Sequence, residues 1–151
     1  MLFIAPPVRG WILVTGSGVP DPSEDVDACF RMLLHLSRKL GQVQFFSASR
    51  ILNHHAWVRM ESGRVVRAYA WAGTTLWQQG ERTLAERELG LECRDYNEPA
   101  ERDDFFHTDA IVPNAEKVPL LAARWSLDPG GIDERFLEDE CGVAGEPSRR
   151  Y

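Results

Sequence analysis

Apolar side chains spaced three and four residues apart predict one long helix in the first third of the chain. This stripe consists of Val26, Cys29, Phe30, Leu33, Leu34 and Leu40, with Ser37 as its one polar member. Asp21 is placed to cap the helix, with Pro22 in its first turn and Gly41 at its end. We therefore predict a helix over about residues 22–40, whose apolar stripe requires a sheet to cover it.

Alternating apolar and polar positions predict strands on both sides of this helix. A short run, Trp11 to Thr15, ends at a glycine-rich loop, and a second, Gln42 to Ser47, follows the helix after one glycine. Residues 55–61 and 64–72 then form a predicted hairpin around the turn Ser62-Gly63.

The predicted hairpin has two faces, because side chains alternate along a strand. One face carries His54, Val58, Met60, Val65, Arg67, Tyr69 and Trp71. The other face carries His55, Trp57, Arg59, Glu61, Arg64, Val66, Ala68, Ala70 and Ala72. The pattern leaves open which face is buried, although the alanines favour the second face beneath the helix. In that arrangement Arg67, Tyr69 and Trp71 point outward.

The C-terminal part of the chain predicts short helices. Thr83 and Glu86 form a capping-box pattern at the start of a two-turn helix that stops at Gly90. Residues 95–108 are polar and predict a loop. A helix with Pro119 in its first turn is expected to run to about Trp125, and residues 132–140 predict a final short helix.

The predicted fold is therefore α+β: a long amphipathic helix packed on an antiparallel sheet of about four to five strands, with short C-terminal helices. A length of 151 residues fits a single domain, which we assign to residues 1–145, followed by a frayed tail at 146–151.

Composition narrows the possible functions. The net charge of −6 opposes nucleic-acid binding through bulk electrostatics. The three cysteines have no metal-ligand spacing, which indicates free thiols in a reducing compartment. The apolar N-terminus is too short for a signal peptide, and no apolar run is long enough for a membrane span. These features predict a cytoplasmic protein with no cofactor.

Three stretches of the chain together resemble a known group of proteins. They are HAWVRMESGRVVRAYAWAG, LWQQGERTLAERELGL and EKVPLLAARWSLDP. Over about residues 11–132 the pattern is similar to a loosely defined group of uncharacterised bacterial helix-on-sheet proteins. The resemblance implies a single domain and transfers no catalytic residue. By analogy alone, such proteins resemble immunity or accessory factors of bacterial conflict systems.

The leading functional prediction is a non-enzymatic module that binds another protein, because the chain is rich in aromatic residues and lacks catalytic spacing. We expect its binding surface to include Arg67, Tyr69, Trp71 and Trp77.

Two alternatives remain open from the sequence. The first is a small metal-dependent phosphoester hydrolase, because imidazole and carboxylate groups are ligands for divalent metals. Its candidate ligands are His54, His55, Asp103, Asp104 and His107. The second is single-stranded nucleic-acid binding on the aromatic and arginine-rich ribbon. The same arginine and aromatic residues also fit ordinary packing without a binding role, in which arginine stems cover aromatic faces.

Overall fold

The computed structural model describes residues 1–98, 113–131, 141–146 and 148. Within these residues the main body is a helix on a four-stranded antiparallel sheet, in the strand order β3-β4-β5-β6. Helix α1 spans Val26–Leu40. The strands are β3 Gln42–Ser49, β4 His54–Glu61, β5 Arg64–Trp71 and β6 Thr75–Gln79. The predicted fold class is confirmed.

Two further helices and a second sheet complete the described structure. Helix α2 spans Leu84–Glu88 and α3 spans Asn114–Trp125. The second sheet has three short strands in the order β2-β1-β7, namely β1 Leu2–Ile4, β2 Val14–Gly16 and β7 Val143–Gly145. The predicted final helix at 132–140 and the end of the tail lie outside the described residues.

Helix α1 begins four residues later than the sequence predicts, because a different aspartate caps it. Asp25 accepts a hydrogen bond from the backbone N–H of Ala28 and is the N-cap. Asp21 instead accepts from the backbone N–H of Ser23 and closes a turn before the helix. The predicted end at Gly41 is correct, and this glycine has a φ of 87°.

Ser37, the polar member of the apolar stripe, joins α1 to the β4–β5 hairpin. Its hydroxyl accepts from the backbone N–H of Gly63 at 3.0 Å and donates to Leu34 O at 3.1 Å. Beside it, the backbone N–H of Ser62 donates to Gly41 O at 2.6 Å. The fully buried Ser37 hydroxyl thus satisfies a half-buried backbone donor of the turn.

The hairpin forms at the predicted turn, but a β-bulge changes its register. Glu61 pairs with Arg64 and Met60 with Val65, as predicted. Beyond them the register shifts, so that Arg59 faces Arg67 and Val66 is the extra residue. Because one inserted residue exchanges the two faces of a strand, the predicted division of β5 side chains relative to β4 is wrong.

The sheet is covered on both faces. Under α1 lie Phe45, Ala56, Val58, Met60, Ala68, Ala70 and Trp77, packed with Cys29, Met32 and Leu33 of the helix. The opposite face packs Trp57 and Tyr69 against Leu91, Val118 and Leu121, with contributions from α2 and α3. Ala68 and Ala70 therefore lie under α1 as predicted, whereas Trp57 lies on the other side of the sheet.

Candidate functional site

A charged pair lies at the centre of the face covered by α2 and α3. Arg67 and Glu86 are both fully buried, and Arg67 Nε lies 2.9 Å from Glu86 Oε1. Trp57 Nε1 donates to the same oxygen at 2.7 Å. The second oxygen, Oε2, accepts from the N–H and hydroxyl of Thr83, which confirms the predicted capping box. This carboxylate is thus paired and hydrogen-bonded, as a buried charge requires.

The remaining donors of Arg67 bind the backbone at the end of the sheet. Its Nη1 donates to Gln79 O and Gly80 O, each at 3.2 Å. Its Nη2 lies 3.2 Å from Cys93 Sγ. Burial raises the pKa of the Cys93 thiol to about 11, and the nearby Arg67 charge only partly offsets this. The thiol is therefore neutral at pH 7 and is a poor nucleophile.

His55 lies in an aromatic stack at one end of the same face. Its ring centroid is 5.3 Å from that of Trp71 and 5.7 Å from that of Trp57. Its Nε2 is 3.1 Å from Nδ2 of Asn114, which also donates to Glu92 O at 2.6 Å. Burial, with a smaller effect of His54, lowers the pKa of His55 to about 4. The neutral ring therefore accepts a hydrogen bond from α3 and anchors that helix.

His54 lies on the opposite face, beside Asp21. Its Nδ1 is 3.7 Å from Asp21 Oδ1, and the Ser47 hydroxyl donates to the other oxygen of this carboxylate. Burial raises the pKa of Asp21, but hydrogen bonds from Ser23 and Ser47 outweigh it, so the net shift is downward. The carboxylate bridges the other two groups, so the histidine is not aligned as a base for the serine.

Most of the predicted metal ligands lie outside the described residues. His54 and His55 point to opposite faces of the sheet, and Asp103, Asp104 and His107 lie outside the described residues. Among the residues that the structure describes, no group of three potential ligands is close enough to hold a metal ion.

The predicted aromatic binding surface is wrong in its placement. Arg67 and Tyr69 are at most 1% exposed, and Trp71 is half-buried beside His55. Trp77 is buried on the other face, where its ring meets Phe30 edge-on at 5.8 Å. Arg67 and Tyr69 face away from α1 as predicted, but α2 and α3 cover that face of the sheet. The buried rings of Tyr69 and Trp77 are therefore not accessible for base stacking.

The edges of the four-stranded sheet differ from its faces because they present backbone groups. The backbone N–H of Ser62 donates to Gly41 O, so these two residues form a hydrogen-bonded pair just before β3. Along an antiparallel ladder, hydrogen-bonded pairs alternate with non-hydrogen-bonded pairs. The odd-numbered residues of β3 therefore bond to β4. The even-numbered ones direct their N–H and C=O groups away from the sheet, and these are Gln42, Gln44, Phe46 and Ala48.

Among the described residues, nothing pairs with the outer edge of β3. In the described part of the chain, the outward backbone groups of these four residues make no hydrogen bond. The strand is eight residues long, pairs with β4 without a bulge, and has the sequence QVQFFSAS, which contains no charge, proline or glycine. Natural edge strands usually carry at least one such blocking feature.

The outer edge of β6 is closed. Tyr96 Oη accepts from the backbone N–H of Gln78 at 2.7 Å and donates to Gln78 O at 3.3 Å. One phenol thus satisfies both outward groups of this residue. At the end of the strand, Arg67 binds the carbonyls of Gln79 and Gly80 from the face covered by α2 and α3. At Gln78, therefore, this edge offers no free backbone group to another strand.

Large aliphatic side chains are exposed near both ends of β3. Leu40, two residues before the strand, is 69% exposed. Ile51 and Leu52, in the turn after it, are 94% and 74% exposed. A hydrogen bond holds this turn, because the backbone N–H of Leu52 donates to Ser49 Oγ at 3.1 Å. The open edge is therefore flanked by apolar groups.

Sequence reasoning identified β3 as a strand but missed its edge. The available signal was its uncharged composition, which is typical of an edge-pairing segment only when the strand order is known.

Comparisons with known proteins add no assignment. No family model, no curated protein and no solved structure matches this chain. In the part of the chain that the structure describes, no helix has the length and apolar character required to cross a membrane.

Proposed function

We propose that the chain is a non-enzymatic protein-binding module, which binds an extended polypeptide along the outer edge of β3. The observation that carries this proposal is the row of unbonded backbone groups at Gln42, Gln44, Phe46 and Ala48. An added strand would supply the missing partners, and main-chain hydrogen bonds give such strand addition its affinity.

The surroundings of β3 support the same function. Helices α1 and α3 contact the strand from its two faces, so the edge is held by a packed core. Gln44 Nε2 donates to Trp125 O at 3.4 Å, and the Phe46 ring lies 5.7 Å from that of Trp125. A strand fixed in this way needs little reordering on binding, which lowers the entropic cost of association.

The interior polar groups favour a structural role over catalysis. The carboxylate of Glu86 accepts hydrogen bonds from Trp57, Arg67 and Thr83. The Nε2 atom of His55 is engaged by Asn114. Groups that are saturated by the protein's own donors stabilise the fold and offer no base or nucleophile to a substrate.

A proline at Ala48 tests the proposal. The Ala48 N–H points outward and its side chain is exposed, so proline removes no hydrogen bond to β4. The tagged full-length chain and its Ala48→Pro variant are used to capture polypeptides from a host lysate, followed by mass spectrometry. We expect wild type to retain a polypeptide that Ala48→Pro loses.

The matched control is Ala48→Ser, which keeps the backbone N–H and should keep the captured polypeptide. Thermal unfolding of all three proteins checks that each is folded. A captured set that is the same for wild type and Ala48→Pro would contradict binding along β3.

A further inference from the structure

We propose that the strand added to β3 is the β3 strand of a second copy of this chain, paired antiparallel about a two-fold axis at Phe45. This inference rests on the protein-binding function proposed above and names its partner. It yields a symmetric dimer with one continuous eight-stranded sheet, because each copy contributes four strands.

The outward groups of β3 are self-complementary in one register. With the axis at Phe45, Gln42 faces Ala48 of the second copy and Gln44 faces Phe46. All four outward residues then enter hydrogen-bonded pairs. If the register shifted by two residues in either direction, one of these four residues would face a residue outside the partner's β3, because the strand spans only Gln42–Ser49.

The charge pattern favours a second copy as partner. Homotypic pairing places the side chains of one strand opposite those of the same strand, so a charged β3 would bring like charges together. The strand QVQFFSAS has no charged residue, and this penalty is absent.

The exposed aliphatic side chains complement each other in the same arrangement. Antiparallel pairing brings the beginning of one β3 to the end of the other. Leu40 of each copy therefore approaches the turn that carries Ile51 and Leu52 of the other copy. These three side chains are among the most exposed large apolar groups of the described residues, and their burial would stabilise both ends of the dimer.

The closed edge of β6 explains why the assembly stops at two copies. An isologous interface uses the same surface on both subunits and closes on itself. Once the two β3 edges are paired, each end of the eight-stranded sheet is a β6 strand bound by Tyr96. As far as the described residues show, the outward groups of Gln78 at each end of the dimer are already bonded.

Mixed single-cysteine variants test the register. Gln42→Cys and Ala48→Cys are made separately in the full chain, with the exposed Cys141 changed to serine in both. In the proposed dimer these positions lie directly opposite, at a Cα separation of about 5.5 Å, within the range of a disulfide. Identical positions lie roughly 20 Å apart, given about 3.3 Å per strand residue.

We expect a disulfide-linked dimer when the two variants are mixed and oxidised, and none when either is oxidised alone. Cross-linking of Gln42→Cys with itself would contradict the antiparallel register. No cross-link in the mixture would overturn the proposed pairing.

Sedimentation velocity over a concentration series tests the dimer without cysteines. We expect wild type and Ala48→Ser to dimerise. The dimer dissociation constant of Ala48→Pro should be roughly tenfold or more above that of wild type, because the N–H bond is lost in both copies.

A wild-type chain that stays monomeric at about 100 µM would overturn the dimer. If another polypeptide is still captured in a manner that depends on Ala48, the protein-binding proposal stands while the second copy falls. If no polypeptide of any kind depends on β3, both proposals fall.

Discussion

The two outer edges of the four-stranded sheet are treated in opposite ways. At β6, Tyr96 binds the outward N–H and C=O of Gln78. At β3, four residues present unbonded backbone groups on an uncharged strand, as far as the described residues go. A protein that closes one edge with its own side chains and leaves the longer edge open is suited to pairing there.

The largest effect is expected on the buried face of the sheet, from Glu86→Gln in the charge pair with Arg67. This change leaves the Arg67 guanidinium buried without its counter-charge, and we expect the free energy of unfolding to fall by about 3–5 kcal/mol. Urea denaturation at pH 7 measures it. The control is Glu88→Gln, which breaks an exposed ion pair with Arg124 and should cost at most about 1 kcal/mol. Equal losses in the two variants would contradict the role of the buried pair.

Acid should destabilise the interior around His55. It should have no direct effect on β3, because that strand has no ionisable side chain. The pKa of His55 is lowered to about 4 in the folded protein, while an unfolded histidine titrates near about 6.5. Between pH ~4 and ~6.5 the unfolded state therefore binds more protons than the folded state. The stability contributed by His55 is full above pH ~6.5 and is lost as the pH falls towards ~4. We expect a loss of about 3 kcal/mol across this window, measured by urea denaturation.

A His55→Phe variant provides the control for the pH effect, because it retains an aromatic ring in the stack. Its stability should be flatter between pH 6.5 and 4 than that of wild type. An unchanged pH profile in the variant would assign the acid sensitivity to other groups.

Removal of the Tyr96 hydroxyl should open the β6 edge at a modest cost. Tyr96→Phe loses both hydrogen bonds to Gln78 and keeps the ring, so we expect a loss of about 0.5–1.5 kcal/mol. The amide of Gln78 should also exchange with solvent faster, which residue-resolved hydrogen exchange measures. An unchanged exchange rate at Gln78 would show that the phenol does not protect this edge.

The smallest effect on folding is expected at the open edge. Ala48→Lys places a charge on an exposed edge position, where the free energy of unfolding should change by no more than about 0.5 kcal/mol. Strand addition should nevertheless weaken, because edge lysines oppose pairing. Urea denaturation and sedimentation velocity on the same samples separate the two effects. Unaltered association would count against the β3 edge.

Local signals predicted much of the fold. The apolar stripe predicted α1, the Thr83–Glu86 pattern predicted the cap of α2, and the turn Ser62-Gly63 predicted the hairpin. Each of these features depends on residues close together in the chain, so composition and spacing carry the information.

Long-range features escaped prediction for a physical reason. The bulge beside Arg59 depends on how β5 packs between two layers, and strict alternation cannot anticipate one extra residue. The strands β1 and β7 are three residues each and pair across almost the whole chain, so neither has a local signal. Strand order, which makes β3 an edge, is likewise a property of the complete sheet.

Residue-resolved hydrogen exchange of the full chain over a range of protein concentrations tests the central claim most directly. We predict that the amides of Gln42, Gln44, Phe46 and Ala48 become protected as the concentration rises. The amides of Val43, Phe45 and Ser47, which bond to β4, should change little, as should Gln78 beneath Tyr96. Concentration-independent exchange at the four outward amides, or protection that develops elsewhere, would contradict strand addition by a second copy along β3.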